Sequence, residues 1–323
     1  MLSTLRRVAA ALLIALPAGN VAASGGISEI SQSCATATGC FPGDAPGFPV
    51  TISSSGSYIL TSNLDSSADV NVDAIHIPVA DDVSLNFNGF EIAGGVTCSG
   101  LGSAVNCSPG FGDGISALGC DRFSAKNGRI RGFEFGLRAG ARARIENLII
   151  ESNSQDGLSA GARSSVMRST AYQNGFNGIT VGAASTVHRC VASSNASNGI
   201  NASSGSSVLQ NTAYDNGVDG VSAGLGNIVR GNSTYQNEAH GIDANSGCQI
   251  SDNVAYQNSG DGIEASADSS VQRNTVRLNT GFGLDLATDA AYTENTINGN
   301  TAGTVDDGVN MGANSCNGTT SCP

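Results

Sequence analysis

Apolar and polar positions along this chain follow neither a helical period nor a long strand alternation. They come in short apolar clusters that return at a fixed interval, each round opened by a Gly–aliphatic pair. The pair stands at Gly136, Gly157, Gly178, Gly199, Gly220, Gly241, Gly262 and Gly283, every spacing being 21 residues, and Gly114 precedes the series by 22. Numbering each unit from its Gly, column 2 reads Leu137, Leu158, Ile179, Ile200, Val221, Ile242, Ile263 and Leu284. Column 10 is aliphatic from Ile145 to Val271 and ends in Tyr292, and column 15 runs from Ile150 through Ala171, Ala192 and Ala213 to Ile297. Column 18 is Asn in every unit from Asn153 to Asn300, and column 13 is Asn from Asn211 to Asn295.

A unit this short has no room for a helix, a strand and two loops, since helical repeats need about 33 residues or more. Leucine-rich repeats have a suitable length but require Leu at several fixed positions, and none recurs here. Three short strands per unit, wound as a parallel solenoid, fit the pattern and make the chain all-β. Each column then stacks on itself every ~4.8 Å. Inward aliphatics form ladders, and the small column-4 residues such as Ala202, Ala223 and Ala244 predict a narrow interior. Inward Asn satisfies buried corner backbone and pairs with the Asn above and below it.

Earlier segments carry the same pattern less regularly: Thr51-Ile52, Ser57 to Leu60, Ala74 to Ile77 and Asp82 to Ile92. The expectation is one domain: a solenoid over 51–303 with an insertion at 93–113. About ten turns make a rod of roughly 50 Å. Open ends would expose unpaired strand edges, so 24–50 and 304–323 are the candidate caps.

The unit GI-x(7)-V-x(2)-N-[TSV]-x(3)-N, written out as GINASSGSSVLQNTAYDN from Gly199, resembles the right-handed parallel β-helix repeat family, the pectate-lyase-like superfamily. The resemblance spans roughly residues 50–300 and implies a single right-handed parallel β-helix in a secreted protein. The family includes pectate lyases, polygalacturonases, alginate epimerases, phage tailspikes and adhesins. It therefore implies polysaccharides or cell-surface glycans as a class of partner without choosing an activity. The Asp-Pro-His-Asp segment typical of the alginate epimerases is absent.

Composition narrows the field. Gly is 43 of 323 residues, charged residues are 13%, Trp is absent and Lys126 is the single Lys. That charge fraction is about half the usual value and argues against a coiled coil or long-helix bundle. A net charge of −12 makes a nucleic-acid partner improbable. Residues 1–23 read as a signal peptide: Arg6 and Arg7, an apolar run from Val8 to Ala18, and Val21-Ala22-Ala23 for cleavage. Removing those two Arg takes the charge from −12 to −14. No other run approaches the ~18 apolar residues of a membrane span. The predicted location is outside the cytoplasm, extracellular or periplasmic.

The nine Cys agree with an oxidising compartment. Short-loop disulfides are expected for Cys34/Cys40, Cys98/Cys107 and Cys316/Cys322, with the first and last of them in the candidate caps. Cys120, Cys190 and Cys248 lie several turns apart, beyond the ~7 Å reach between Cα atoms. They are predicted to be separate thiols, with Cys190 replacing Asn in column 13.

Candidate chemistry is found by column. Column 2 points in, so column 3 points out. Its later members are Asp243, Glu264 and Asp285, beside column 21 with Asp219, His240 and Asp261. These six groups are the candidate catalytic set. Carboxylates at ~4.8 Å repel, so at least one pKa should rise unless a cation intervenes. Adjacent members sit near the ~5 Å separation of a retaining glycosidase pair. A Ca²⁺ site is equally compatible and is the one cofactor suggested. A solvated acidic face is the plain alternative. His240-Gly241-Ile242-Asp243, after Asp219-Gly220, is similar to the polygalacturonase signature. It departs from it in Ala239, in Val218 before Asp219, and in lacking R-x-K.

Column 16 supplies a second candidate, Tyr172, Tyr214, Tyr235 and Tyr256, interrupted by Ser193. An outward aromatic strip suits sugar rings, as ligand-binding residues; it equally suits Tyr–Tyr stacking as scaffold. Three readings follow. The protein binds polysaccharide or a cell-surface ligand along an outward face without complete catalytic machinery; it is a polysaccharide hydrolase or lyase using the stacked acids; or it is a structural or adhesive rod. Lacking a complete signature, the sequence favours the first and leaves enzymatic activity open.

Overall fold

The computed structural model describes residues 26–322, so the expected signal segment lies outside the described residues. In the unit from Gly241 the three strands are Ile242–Ala244, Gln249–Ser251 and Val254–Tyr256. Columns 2 and 4 are buried with column 3 outward, column 10 is buried, and column 15 is buried between outward neighbours. The column 2–4 strands form a 12-stranded parallel sheet; the other two faces merge into a 23-stranded sheet. Register is kept column by column, as in Ile242 opposite Ile263 and Asp243 opposite Glu264. The result is an all-β parallel helix with a continuous core of Ile, Val, Leu and Ala.

The rung count exceeds the expected ten. Strand pairing continues into both end segments: Ile27–Ile30 pairs with Gly56–Leu60, and Gly303–Asp306 pairs with Phe282–Leu286. The ends finish the ladders themselves before any capping.

The three expected disulfides are present. Cys34 is bonded to Cys40 with 4.7 Å between their Cα atoms, Cys98 to Cys107 with 4.0 Å, and Cys316 to Cys322 with 5.4 Å. The two terminal bridges lie in the candidate cap segments and against the solenoid core. Cys40 and Cys322 are half-buried and pack against the hydrophobic core, and Cys316 belongs to that core on a strand paired with Thr296–Asn298. Their apolar sulfurs thus cover core side chains that have no further rung above or below them. Cys120, Cys190 and Cys248 are buried and unpaired. Burial pushes the Cys190 thiol up to about 11, which marks it as an inert core residue.

In the units from Gly136 to Gly262 each of three sharp corners uses one left-handed residue, at columns 7, 12 and 17. In the Gly241 unit these are Gly247 (φ 73°), Asp252 (φ 59°) and Gln257 (φ 55°). Most such positions carry a side chain, and a left-handed L-residue costs about 1–2 kcal/mol. The residue that follows each corner, at columns 8, 13 and 18, compensates. Asn237 shows how. Its Oδ1 accepts from the Asn216 backbone N–H (3.2 Å) and from Asn216 Nδ2 (2.9 Å). Its Nδ2 donates to Ala213 O (3.2 Å) and to Asn258 Oδ1 (2.9 Å). The column-13 ladder runs on through Asn295 to Asn314, and Cys190 joins it by donating its backbone N–H to Asn211 Oδ1 at 2.8 Å.

Column 8 is a third ladder, one that the sequence pattern did not reveal. Ser164 N–H donates to Ser185 Oγ (3.0 Å), Ser185 N–H to Ser206 Oγ (3.1 Å) and Ser206 N–H to Asn227 Oδ1 (2.7 Å). Cys248 occupies this column and donates its N–H to Ser269 Oγ at 3.2 Å. The column-1 Gly also has a different reason than the corner the sequence suggested. A Cβ on Gly199 would stand 2.7 Å from Asn216 Nδ2 and 2.7 Å from Gly220 O. That Gly makes room for the Asn ladder, and the corners proper fall at columns 7, 12 and 17.

Asn237→Ala removes the partners of Asn216 and Ala213 on the rung before and of Asn258 on the rung after. The expected loss is about 3 kcal/mol or more in urea unfolding, against less than ~0.5 kcal/mol for the outward Ser222→Ala. Equal midpoints for the two variants would contradict this account.

Candidate functional site

The acidic face is built from columns 21 and 3, and column 21 has a backbone duty of its own. Asp156 Oδ1 accepts the Asn177 N–H (3.0 Å), Asn177 Oδ1 that of Asn198 (3.1 Å), and Asn198 Oδ1 that of Asp219 (3.0 Å). Asp219 Oδ1 in turn accepts the His240 N–H at 3.0 Å, and His240 Nδ1 accepts the Asp261 N–H at 3.1 Å. From Asp156 to Asp261 each column-21 side chain accepts the N–H of the next rung, and Asp, Asn and an unprotonated imidazole nitrogen all serve. Asp219, His240 and Asp261 are therefore part of the frame as well as of the surface.

His240 stands between two carboxylates, with Nδ1 3.1 Å from Asp261 Oδ2 and Nε2 3.3 Å from Glu264 Oε2. In the neutral ring Nδ1 takes the Asp261 N–H, so Nε2 carries the proton toward Glu264. Donor atoms of His240, Asp261 and Glu264 lie within 4.8 Å of one another. Asp219, Asp243 and Asp285 adjoin this trio without entering it. Burial holds the Asp219, Asp243, Glu264 and Asp285 carboxyls above their ordinary range, and neighbouring carboxylates push Asp219, Glu264 and Asp285 further up. An imidazole with two carboxylates suits an ion such as Zn²⁺ better than Ca²⁺, which takes 6–8 oxygens.

The tyrosine strip is brought together only in part. Tyr214 and Tyr235 stack at 4.9 Å and 4°, Tyr235 and Tyr256 at 4.9 Å and 14°, and Arg277 lies over Tyr256 at 4.9 Å. Ser193 separates Tyr172 from the stack. Tyr235 and Tyr256 thus have both faces covered, whereas Tyr214 stacks on one side only, next to Ser193.

Two features were not visible in the sequence pattern. The first occupies the same two columns on the early rungs. His76, Ser116 and Arg138 are column-3 neighbours in register. Asp73 Oδ2 lies 3.2 Å from His76 Nδ1, and Asp73 Oδ1 accepts the Asp113 N–H at 2.8 Å. Asp113 is fully buried; its Oδ2 holds Arg138 at 2.6 Å, its Oδ1 has no hydrogen-bond partner, and burial raises its pKa to about 6 despite that Arg. Arg138 also lies over the Phe135 ring at 4.6 Å. The signal was present in Asp73-Ala74-Ile75-His76 and Asp113-Gly114-Ile115-Ser116, which repeat the frame of His240-Gly241-Ile242-Asp243.

The second is the insertion, which folds into an arm. Cys98–Ser99 and Asn106–Cys107 pair antiparallel around a turn, stapled by their disulfide. The arm lies along the solenoid flank. Gln173 Nε2 donates to Gly100 O at 2.9 Å, and Ser103 N–H donates to Glu238 Oε1 at 2.9 Å. Column 19 is small beneath it, with Ser154, Gly175, Ala196 and Gly217 before Glu238. A Cβ on Gly217 would stand 2.5 Å from Ser103 N.

This three-faced winding with inward Asn ladders is the architecture of a right-handed β-helix. The family profile "Right handed beta helix region" matches residues 64–218 and 208–302, and the chain belongs to that family. No curated protein matches it by sequence. Among solved structures it is similar to the A-module of Azotobacter vinelandii mannuronan C-5 epimerase AlgE4, at 15% identity and TM-score 0.59, over 79% of this chain and 86% of that one. The AlgE6 A-module of the same organism gives 16% and 0.58, over 88% and 89%. The catalytic unit of a GH87 α-1,3-glucanase from Streptomyces thermodiastaticus gives 14% and 0.53, over 81% of this chain and 62% of that one. At such identities the likeness is one of fold.

The raised carboxyls set a pH dependence. Asp113, Asp219, Asp243, Glu264 and Asp285 bind protons more tightly folded than unfolded. Their contribution favours folding at low pH and is lost as pH rises through their folded values. The urea midpoint should therefore rise from about pH 7 to about pH 5, with a smaller rise in Asp243→Asn plus Glu264→Gln. A midpoint that falls over that range would contradict the assignment.

Proposed function

We propose that the protein is a secreted solenoid that binds polysaccharide along its column-3 face. The observation that carries this reading is the outward row itself. From His76 to Asp306 every column-3 side chain in register is polar; Ser116 is buried and the Thr180 hydroxyl is enclosed, and the others are at least partly exposed. The row is basic at its start with His76 and Arg138, neutral in the middle with Ser159, Thr180, Asn201 and Ser222, and acidic from Asp243 on. A regular line of donors and acceptors one strand spacing apart suits a polymer of hydroxyl-bearing units better than a compact small molecule. Proteins of this fold that act on polysaccharide, by their names mannuronan epimerases and an α-1,3-glucanase, support the ligand class. Three disulfides support a location outside the cytoplasm, and no helix among the described residues is long and apolar enough to cross a membrane.

A second reading, cleavage of the bound chain, draws on His240 set between Asp261 and Glu264 beside the raised Asp243. There a protonated Glu264 would serve as general acid and an ionised neighbour as base or nucleophile.

Native gels containing uronate-rich or neutral polysaccharides test the first reading. At least one should retard the protein. Asn201→Val and Ser222→Val together should abolish that retardation while leaving the urea midpoint unchanged. Absence of retardation by every polysaccharide would overturn binding. New reducing ends or unsaturated product, lost in Glu264→Gln, would establish cleavage; their absence with and without added Ca²⁺ or Zn²⁺ would sink it.

A further inference from the structure

We infer that the cleft between the arm and the solenoid flank is a separate carbohydrate site, in which one sugar residue packs against the ring of Phe111. This rests on the polysaccharide-binding reading and adds a place at which the chain is gripped. The cleft has a volume of about 400 Å³ and is lined by Asn106, Phe111, Glu134, Ser154 and Gln155, among others. That is within the usual range for small-ligand sites.

Phe111 is 72% exposed, an unfavourable state for so large an apolar ring. Its backbone enforces the exposure. Phe111 N–H and Gly112 N–H both donate to Val70 O, at 3.0 and 3.1 Å. A Cβ on Gly112 would overlap Val72 O, and one on Gly110 would stand 2.5 Å from Val96 Cγ2. Two glycines thus let the segment press against the first rungs, and the ring between them is projected outward in a fixed position. Such preorganisation lowers the cost of ordering a binding group.

The lining identifies the ligand class. A free aromatic face takes the C–H side of a sugar ring. Glu134 and Gln155 are column-20 neighbours one rung apart, and with Asn106 they offer a carboxylate and two amides to hydroxyl groups. No basic side chain lines the cleft, which disfavours an anionic group there. In the tyrosine strip Tyr235 is covered on both faces by Tyr214 and Tyr256, and Tyr256 lies between Tyr235 and Arg277. Glu134 of the cleft lining immediately precedes Phe135, whose ring lies under Arg138 of the column-3 row.

The test uses the full chain in native gels cast with dextran, laminarin, alginate or polygalacturonate. For a polysaccharide that retards the wild type, Phe111→Ala should weaken binding about tenfold, the size expected for losing one aromatic contact. Phe111→Trp should restore binding and Tyr235→Ala should leave it unchanged. Because Phe111 is exposed, its truncation should not shift the urea midpoint. If Phe111→Ala binds as the wild type does, the cleft site is wrong and the face reading stands. If no polysaccharide retards the wild type, both fall.

Discussion

The structure depends on one interaction, the hydrogen bond between a side chain and its own counterpart one rung away. In a solenoid with a fixed repeat every side chain meets the same column at strand spacing. A carboxamide is self-complementary under that constraint, because it carries both a donor and an acceptor. In columns 13 and 18 each Asn accepts from the rung before, donates to the rung after, and closes a buried backbone carbonyl left open by a left-handed corner. The Gly at column 1 belongs to the same device, since a side chain there would collide with the ladder amide. Like charges have no such solution, which explains a charge content of only 13%.

The functional surface follows from the same frame. From Asp156 to Asp261 column 21 presents an acceptor to the next rung, so Asp or His there serves the backbone as Asn does while placing titratable groups at the edge of the outward row. That is how His240 comes to stand between Asp261 and Glu264, and how Asp73 links His76 to the buried Asp113. The arm breaks the nearest-neighbour rule of repeat proteins. It carries residues from an early rung across to Glu238, and the small column-19 residues beneath it are its seat.

The fold was legible because it is periodic. Columns 2, 10 and 15, the Asn ladders and the disulfide pairs can be read from spacing alone, and so can the place of Cys190 in column 13. The extra rungs were not legible, since Ile27–Ile30 and Gly303–Asp306 lack the Gly–Ile frame although Ile30 and Val305 join the core. For the same reason spacing paired Cys34 with Cys40 and Cys316 with Cys322 but did not reveal that these bridges lie against the core. The Ser ladder of column 8 was hidden by the abundance of Ser. The acidic trio was found because it repeats in register, whereas the Asp113–Arg138 pair lies where the interval changes from 22 to 21 residues. The tyrosines were placed on the correct face, but ring orientation decides their use, and spacing carries no orientation. Phe111 belongs to no column, so no periodic argument could reach it.

The central claim is that each ladder amide must both accept and donate. Asn237→Asp removes the donor, because the carboxylate keeps the accepting Oδ1 but puts a second oxygen where Nδ2 donated to Asn258 Oδ1 and Ala213 O. Its urea midpoint, compared with the wild type at each pH, is the decisive measurement. A large deficit is expected near neutral pH, shrinking as the pH falls toward about 4, where the buried carboxyl regains a proton and a donor. A deficit that is absent, or that stays the same at both pH values, would contradict the claim.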